Sequence, residues 1–117
     1  MKKALTASLL ALTLAIAATL ISPAAQAQSG SRTLVGFVFN KAEQPLPDAI
    51  VYLKNTKTLT VKTFIAGQDA SYRFHALSPN VDYEVWAEFH GAKSDTKTLS
   101  SFDTRPETRI NLKVNTK

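Results

Sequence analysis

Two short apolar runs separated by a proline-containing turn constrain the fold of this chain more than any other feature. The runs cover residues 34–39 and 49–53, and the segment between them contains Pro45 and Pro47. Proline fixes the backbone φ angle and offers no N–H to a hydrogen-bond ladder, so it interrupts regular structure and favours a turn. The pattern therefore predicts two β-strands joined by an irregular connection over residues 40–48.

Alternation of apolar and polar residues predicts further strands. It is cleanest in residues 81–89 and recurs in 71–75 and 108–114, while β-branched residues are frequent in 59–66. Successive side chains of a strand point to opposite faces, so each alternating segment is expected to bury one face. Together with a weaker strand at 97–99, this gives about seven short strands and no helical period. We expect an all-β, Greek-key β-sandwich. The expected inward residues of the alternating segments are Tyr72, Phe74, Val81, Tyr83, Val85, Ala87, Phe89, Ile110, Leu112 and Val114.

The N-terminus has the pattern of an export signal. Lys2 and Lys3 precede an apolar run over residues 4–21, which ends before Pro23, and Ala25-Gln26-Ala27 fits a small-residue cleavage site. The apolar run is just long enough to span a bilayer as an uncleaved anchor. The proline and the small residues that follow it favour a signal peptide instead.

We therefore expect cleavage after residue 27 and export to the periplasm or the extracellular space, with no stable membrane anchor afterwards. The mature chain would have 90 residues, a flexible leader at 28–32 and a single sandwich domain at 33–117. Its formal charge would fall from +5 to +3, and it contains no cysteine. This charge is small and dispersed, so a nucleic-acid partner is not expected.

Several short motifs occur in a fixed order along the expected domain. They comprise an apolar-x-Gly-x-Val strand, a Pro-x-Pro turn before the next strand, a Tyr-x-Phe-x-x-Leu-x-Pro segment, a Tyr-x-Val-x-Ala strand and a final alternating strand. The residues concerned are Leu34, Gly36, Val38, Pro45, Pro47, Ala49, Val51, Leu53, Tyr72, Phe74, Leu77, Pro79, Tyr83, Val85, Ala87, Ile110, Leu112 and Val114. In this combination the chain resembles the carboxypeptidase regulatory-like domain, a transthyretin-like (prealbumin-like) β-sandwich.

The resemblance implies a non-catalytic accessory or binding module and covers about 80 residues. One departure concerns the central hairpin turn, where the family usually has Asp and Gly and this chain has Gly67 and Ala70. Alanine adopts a positive φ only at a cost, so we expect the bend to use Gly67.

The sequence gives little support for catalysis or metal binding. His75 and His90 are expected to be surface residues, and the aspartates are scattered singly without calcium-ligand spacing. The 5-hydroxyisourate hydrolases of the same fold end in Tyr-Arg-Gly-Ser, whereas residues 111–117 read Asn-Leu-Lys-Val-Asn-Thr-Lys. Related pilin-type domains crosslink a lysine of the first strand, and residues 34–39 contain none. We expect neither an enzyme, nor a cofactor, nor a metal site.

Aromatic residues on faces that should be wet are the candidate binding residues. If Leu34, Gly36 and Val38 face the core, Phe37 and Phe39 face outward; the outward residues of the next strand include Tyr52, and Trp86 lies between Glu84 and Glu88. An apolar patch of this kind often marks an interaction site. We expect Phe37, Phe39, Tyr52 and Trp86 to bind an envelope protein or, alternatively, a polysaccharide, unless another segment of the chain covers them.

Overall fold

The structure, a computed structural model, describes residues 30–117. The predicted signal peptide and the first residues of the predicted leader lie outside this range. The described strands are β1 (Arg32–Phe39), β2 (Ile50–Asn55), β3 (Val61–Ile65), β4 (Ser71–Leu77), β5 (Tyr83–Phe89), β6 (Ala92–Lys93), β7 (Lys97–Leu99), β8 (Glu107–Arg109) and β9 (Leu112–Lys113). Within these residues, no helix has the length and hydropathy needed to cross a membrane.

The strands form two sheets. In the first, which we call the β1 sheet, β1 pairs antiparallel with β4 on one side and parallel with β8 and β9 on the other. In the second, the β2 sheet, the order is β3-β2-β5-β6, and β7 also pairs with β5. The predicted all-β architecture with two sheets, as in a β-sandwich, is confirmed. Residues 30–117 contain nine strands rather than about seven, because residues 92–93 add a short strand and the last alternating segment divides at residues 110–111.

One apolar core lies between the two sheets, and the alternation predicts most of it. Tyr83 and Val85 are buried as expected, while Glu84 between them is partly exposed. Phe89 and Ile110 are only partly buried and pack against the edge of the core. Each fully buried large apolar side chain contributes about 1.5–3 kcal/mol by leaving water. The fully buried large side chains are Leu34, Val38, Val51, Leu53, Tyr72, Leu77, Val85, Leu99, Leu112 and Val114.

The break between β8 and β9 explains why residue 36 is glycine. At this break the carbonyl of Ile110 turns toward β1 and accepts a hydrogen bond of 2.6 Å from the Tyr72 hydroxyl. A Cβ atom on Gly36 would overlap that carbonyl oxygen and lie 2.7 Å from the Tyr72 ring. The backbone N–H of Phe37 donates instead to the side-chain oxygen of Asn111, at 3.0 Å. Burial raises the pKa of Tyr72, which keeps the phenol protonated as the donor.

Arg32 is buried, although we expected it in a flexible leader. It begins β1, is 3% exposed, and donates hydrogen bonds to the backbone carbonyls of Ser78, Val81, Ser100 and Asp103 at 2.7–3.0 Å. A buried cation needs such acceptors because desolvation is costly. The side chain therefore joins two loops to the start of the central strand.

The connection from β3 to β4 also differs from expectation. These strands lie in different sheets, so residues 67–70 form a crossing between the sheets and not a hairpin. Ala70, with φ of 65°, adopts the left-handed conformation that we assigned to Gly67. Ala70 is fully buried, its N–H donates to the Gly67 carbonyl, and its carbonyl accepts from Val38. Burial and these two hydrogen bonds offset a conformational cost of roughly 1–2 kcal/mol.

Candidate functional site

The four predicted binding residues lie on two opposite outer faces of the sandwich. Phe37 and Phe39 alternate with buried residues of β1, so they lie on the outer face of the β1 sheet. Tyr52 and Trp86 face outward from the β2 sheet. The single patch that we predicted from the first two strands does not exist. The proline-containing connection carries the chain from one sheet to the other, so β1 and β2 are not neighbours.

On the β1 sheet, an arginine side chain covers one of the two outward aromatic rings. The Phe37 and Phe39 rings are 6.2 Å apart, and the Arg109 guanidinium lies 5.6 Å from the centre of the Phe37 ring. Val35, on the same outer face, is only 7% exposed. Phe37 and Phe39 are partly buried. This face therefore has its own cover, in which an arginine lies on the aromatic surface.

A shallow groove of about 350 Å³ runs beside Phe39, lined by Glu43, Asp95, Lys97, Asn111 and Lys113 among others. Two of its charges are paired with each other, because the Lys113 ammonium lies 2.6 Å from the Glu43 carboxylate. The side-chain oxygen of Asn111 accepts from Phe37, as described above. The groove thus combines one aromatic ring with polar groups, part of whose hydrogen-bonding capacity is already used.

On the β2 sheet, two aromatic rings stack on each other across neighbouring strands. The centres of the Tyr52 and Trp86 rings are 5.3 Å apart and their planes differ by 10°. The Lys93 ammonium lies 6.0 Å from the centre of the Trp86 ring. The Tyr52 hydroxyl donates to Glu88 at 3.3 Å, and burial together with this carboxylate raises the pKa of Tyr52.

Exposed aliphatic side chains extend this aromatic pair toward the sheet edge. Ile50 faces Ile65 across the β2–β3 ladder, and Val61 faces Lys54. Their exposed fractions are 37% for Ile50, 64% for Ile65 and 49% for Val61. We call the surface formed by Ile50, Tyr52, Val61, Ile65 and Trp86 the outer apolar face. The predicted binding residues omit Val61 and Ile65. Alternation within residues 61–65 places both on the same side as Thr63, which pairs with Tyr52.

Titratable side chains are dispersed in the part of the chain that the structure describes. Within residues 30–117, no three His, Cys, Asp or Glu side chains come close enough together to hold a metal ion. His75 is exposed on β4, and His90 is exposed and stacks on Phe89 with ring centres 4.0 Å apart. The strongest carboxylate interaction is local, since a hydrogen bond from Arg105 holds the pKa of Asp103 well below its usual range.

Comparison with known proteins gives a fold and no family. No protein-family model and no curated protein matches the sequence. Among solved structures, the chain is similar to the mercury-inhibited catechol 1,2-dioxygenase from Acinetobacter sp. ADP1, with a TM-score of 0.57 and 12% identity over 80% of this chain and 55% of that one.

Two further structures show a similar sandwich. The dioxygenase domain of a dioxygenase–carbohydrate-binding fusion from Streptomyces sp. SirexAA-E has a TM-score of 0.54 and 16% identity, over 80% of this chain and 84% of that one. BcpA, the major pilin subunit of Bacillus cereus, has a TM-score of 0.57 and 10% identity, over 74% of this chain and 30% of that one. The chain thus spans about half of the Acinetobacter enzyme and a third of the pilin. These likenesses concern the β-sandwich fold.

Proposed function

We propose that this protein is an exported, non-catalytic binding module that contacts a protein of the cell envelope through the outer apolar face. The observation that carries the proposal is the exposure of Ile50, Val61 and Ile65 beside the stacked Tyr52–Trp86 pair. Clustered apolar side chains of this kind are unfavourable in water unless a partner covers them. An apolar surface with central aromatic side chains suits a protein partner, since Trp and Tyr are enriched at interface hot spots.

The arrangement of Trp86 favours protein over carbohydrate at this face. Sugar stacking needs an aromatic ring with an accessible flat side. Tyr52 stacks on the indole from β2, and Lys93 approaches it from β6 on the other flank of β5. Little of the flat indole surface is then free for a sugar ring, whereas ring edges and aliphatic side chains suit an apolar protein contact.

Carbohydrate binding remains a second candidate, at the groove beside Phe39. There a partly buried aromatic ring lies next to the carboxylate of Asp95 and the ammonium of Lys97. Aromatic and polar groups in one groove are the combination that sugar recognition uses. The paired charges of Glu43 and Lys113 leave fewer hydrogen-bonding groups for a ligand, so we place this function second.

We assign the module to the transthyretin-like sandwiches and, more finely, to the carboxypeptidase regulatory-like type, on the motifs that run from Leu34 to Val114. The similar solved structures support the broader assignment through their fold. Dioxygenation is a property stated for two of those proteins. For this chain we propose a non-catalytic role, because its most prominent exposed feature is an apolar docking face. Export rests on the signal pattern of residues 1–27, and protein isolated from the envelope should begin at Gln28.

The two outer faces can serve as controls for each other. One variant carries Tyr52→Ser and Trp86→Ser, and the other carries Phe37→Ser and Phe39→Ser. Each exported protein is used to capture periplasmic and outer-membrane components, after circular dichroism and unfolding midpoints have shown that it is folded. We expect the first variant to lose capture of a component that the wild type and the second variant retain.

The other outcomes are equally informative. Loss of capture only in the Phe37/Phe39 variant, with competition by soluble polysaccharide, would favour the groove and carbohydrate. Equal capture by both variants would contradict a binding role for either face.

A further inference from the structure

Strand β3 is an open edge of the β2 sheet. Among residues 30–117 it pairs with β2 on one side only, and all five of its residues are exposed. Six large apolar side chains are exposed within residues 30–117, and five of them belong to β3 or lie close to it; the five are Ile50, Leu59, Val61, Phe64 and Ile65. Natural proteins usually protect such an edge with charges, proline, a bulge or a covering segment, and within β3 Lys62 is the one feature of this kind.

The hydrogen bonds at the two ends of the β2–β3 ladder determine which backbone groups are free. Asn55 N–H donates to the Thr60 carbonyl at one end, and Ala66 N–H donates to the Ala49 carbonyl at the other. Because hydrogen-bonded positions of an antiparallel pair alternate, Lys62 and Phe64 point their backbone groups toward β2. Val61, Thr63 and Ile65 therefore direct their N–H and C=O groups away from the sheet, along the open edge.

We propose that β3 pairs antiparallel with β3 of a second copy of this chain, centred on Thr63, so that the two β2 sheets join into one continuous sheet. The free groups are symmetric about Thr63, as a two-fold interface requires. Thr63 would exchange two hydrogen bonds with Thr63 of the second copy. Val61 of each copy would pair with Ile65 of the other copy. With two hydrogen bonds for each of the three pairs, the interface would have six main-chain hydrogen bonds in total.

The side chains of this register complement one another. On the outer side, Val61 meets Ile65 and Thr63 meets Thr63, and both kinds of cross-strand pair are favourable. On the inner side, Lys62, the only charged residue of β3, lies opposite Phe64 and not opposite another lysine. No like charges are opposed, and the ammonium is placed beside an aromatic ring.

A second copy fits this edge better than an unrelated extended peptide. The pairing satisfies the free backbone N–H and C=O groups of the same three residues in both copies. It also brings the exposed Val61 and Ile65 side chains of one copy against those of the other. A five-residue strand forms a small interface, below the roughly 1,200 Å² of stable specific complexes. The dimer is accordingly transient and depends on protein concentration.

A proline substitution tests the pairing without removing a hydrogen bond within the monomer. The N–H of Thr63 points to the open edge, and proline is tolerated in edge strands at such positions. In sedimentation velocity over a range of concentrations, the wild-type exported protein should approach the mass of a dimer. Thr63→Pro should remain a monomer throughout, with an unchanged circular dichroism spectrum. The matched control Thr63→Val keeps the N–H and should dimerise like the wild type.

Cysteine crosslinking tests the register, and the absence of native cysteine makes it selective. Opposed residues of a hydrogen-bonded antiparallel pair have Cα atoms about 5.5 Å apart, within the range of a disulfide. Thr63→Cys should therefore crosslink two copies under mild oxidation. In the proposed register the two copies of residue 65 are displaced by about 13 Å along the strands, from four residue steps of 3.3 Å, so Ile65→Cys should remain uncrosslinked.

These experiments can overturn the proposal independently of the proposed function. A wild type that stays monomeric, a Thr63→Pro protein that dimerises equally well, or stronger crosslinking at residue 65 than at residue 63 would each contradict it. If Thr63→Pro fails to fold, the two cysteine variants still decide the question. The Tyr52→Ser/Trp86→Ser variant should dimerise normally, since neither residue lies on the edge. Loss of partner capture with dimerisation intact would thus separate the two surfaces.

Discussion

Strands β1 and β3 have similar compositions and opposite environments. Both are rich in apolar and β-branched residues, and both carry apolar side chains on their two faces. In β1 five of the eight residues are buried and the rest are partly exposed, whereas every residue of β3 is exposed. The difference comes from position, because within the described part of the chain β1 has neighbours on both sides and β3 has one. Burial of a strand is decided by what pairs with it as much as by its own pattern.

The contrast extends to the outer faces of the two sheets. On the β1 sheet, Arg109 lies against Phe37, and Val35 retains only 7% of its exposure. On the β2 sheet, Ile65 retains 64% with no comparable cover. The part of the first face around Val35 and Phe37 is therefore covered within the monomer, whereas the second face is exposed to a partner. Substitutions in the two regions should therefore have very different effects.

The largest effect is expected at the centre of the β1 sheet. In Gly36→Ala the new Cβ atom would overlap the Ile110 carbonyl, and the central strand cannot move away because both of its edges are paired. We expect a loss of about 4 kcal/mol or more in the free energy of unfolding, or no folded protein at all. Gly91→Ala is the matched control, since nothing lies within 4 Å of its Cβ position and only its φ of 86° opposes the change. The control should cost about 1 kcal/mol. Equal effects on the thermal midpoint would contradict the close approach at Gly36.

A smaller effect is expected when the hydroxyl that contacts Ile110 is removed. Tyr72→Phe leaves that carbonyl without its 2.6 Å donor and should cost about 1–3 kcal/mol at neutral pH. The substitution should also change the alkaline side of the stability profile. Because burial raises the pKa of Tyr72 in the folded state, the unfolded chain releases this proton first, from about pH 10 upward. Wild-type stability should therefore fall as the pH rises above 10, and the fall should be smaller in the variant. Urea unfolding at several pH values measures both effects, and parallel profiles would contradict the assignment.

The sequence predicted the sandwich and most of its core because alternation is a local property. Residues 81–89 show which side chains face inward without any knowledge of their neighbours. The position of β1 and β2 in different sheets is not local, and it divided the predicted aromatic patch into two faces. Nor did any local signal indicate that Arg32 finds four carbonyls, since two of the acceptors lie in residues 78–81 and two in 100–103, far along the chain.

The candidate site was predicted only in part, because alternation is local and the pairing of strands is not. Alternation correctly placed Tyr52 and Trp86 outward, and their pairing across β2 and β5 needed the register. Ile65 belongs to the outer apolar face only because Ile50 is its cross-strand neighbour. β3 is exposed because it has no second pairing strand among the described residues. No single segment of the sequence shows how many neighbours a strand will have.

The smallest effects are expected from one substitution made on both outer faces. Val35→Thr places a hydroxyl at a position that is 7% exposed, whereas Val61→Thr does so at one that is 49% exposed. Threonine has nearly the shape of valine and suits a strand equally well, so the difference isolates solvation. The first variant should lose about 1–2 kcal/mol, because its hydroxyl exchanges water for an apolar environment. The second should change by less than about 0.5 kcal/mol, as for an ordinary surface position. Denaturant midpoints compare the two variants directly when they are measured at low protein concentration, where β3 does not pair with a second copy. Equal losses would show that the outer face of β1 is as wet as that of β3, and the distinction between a covered face and an open one would fail.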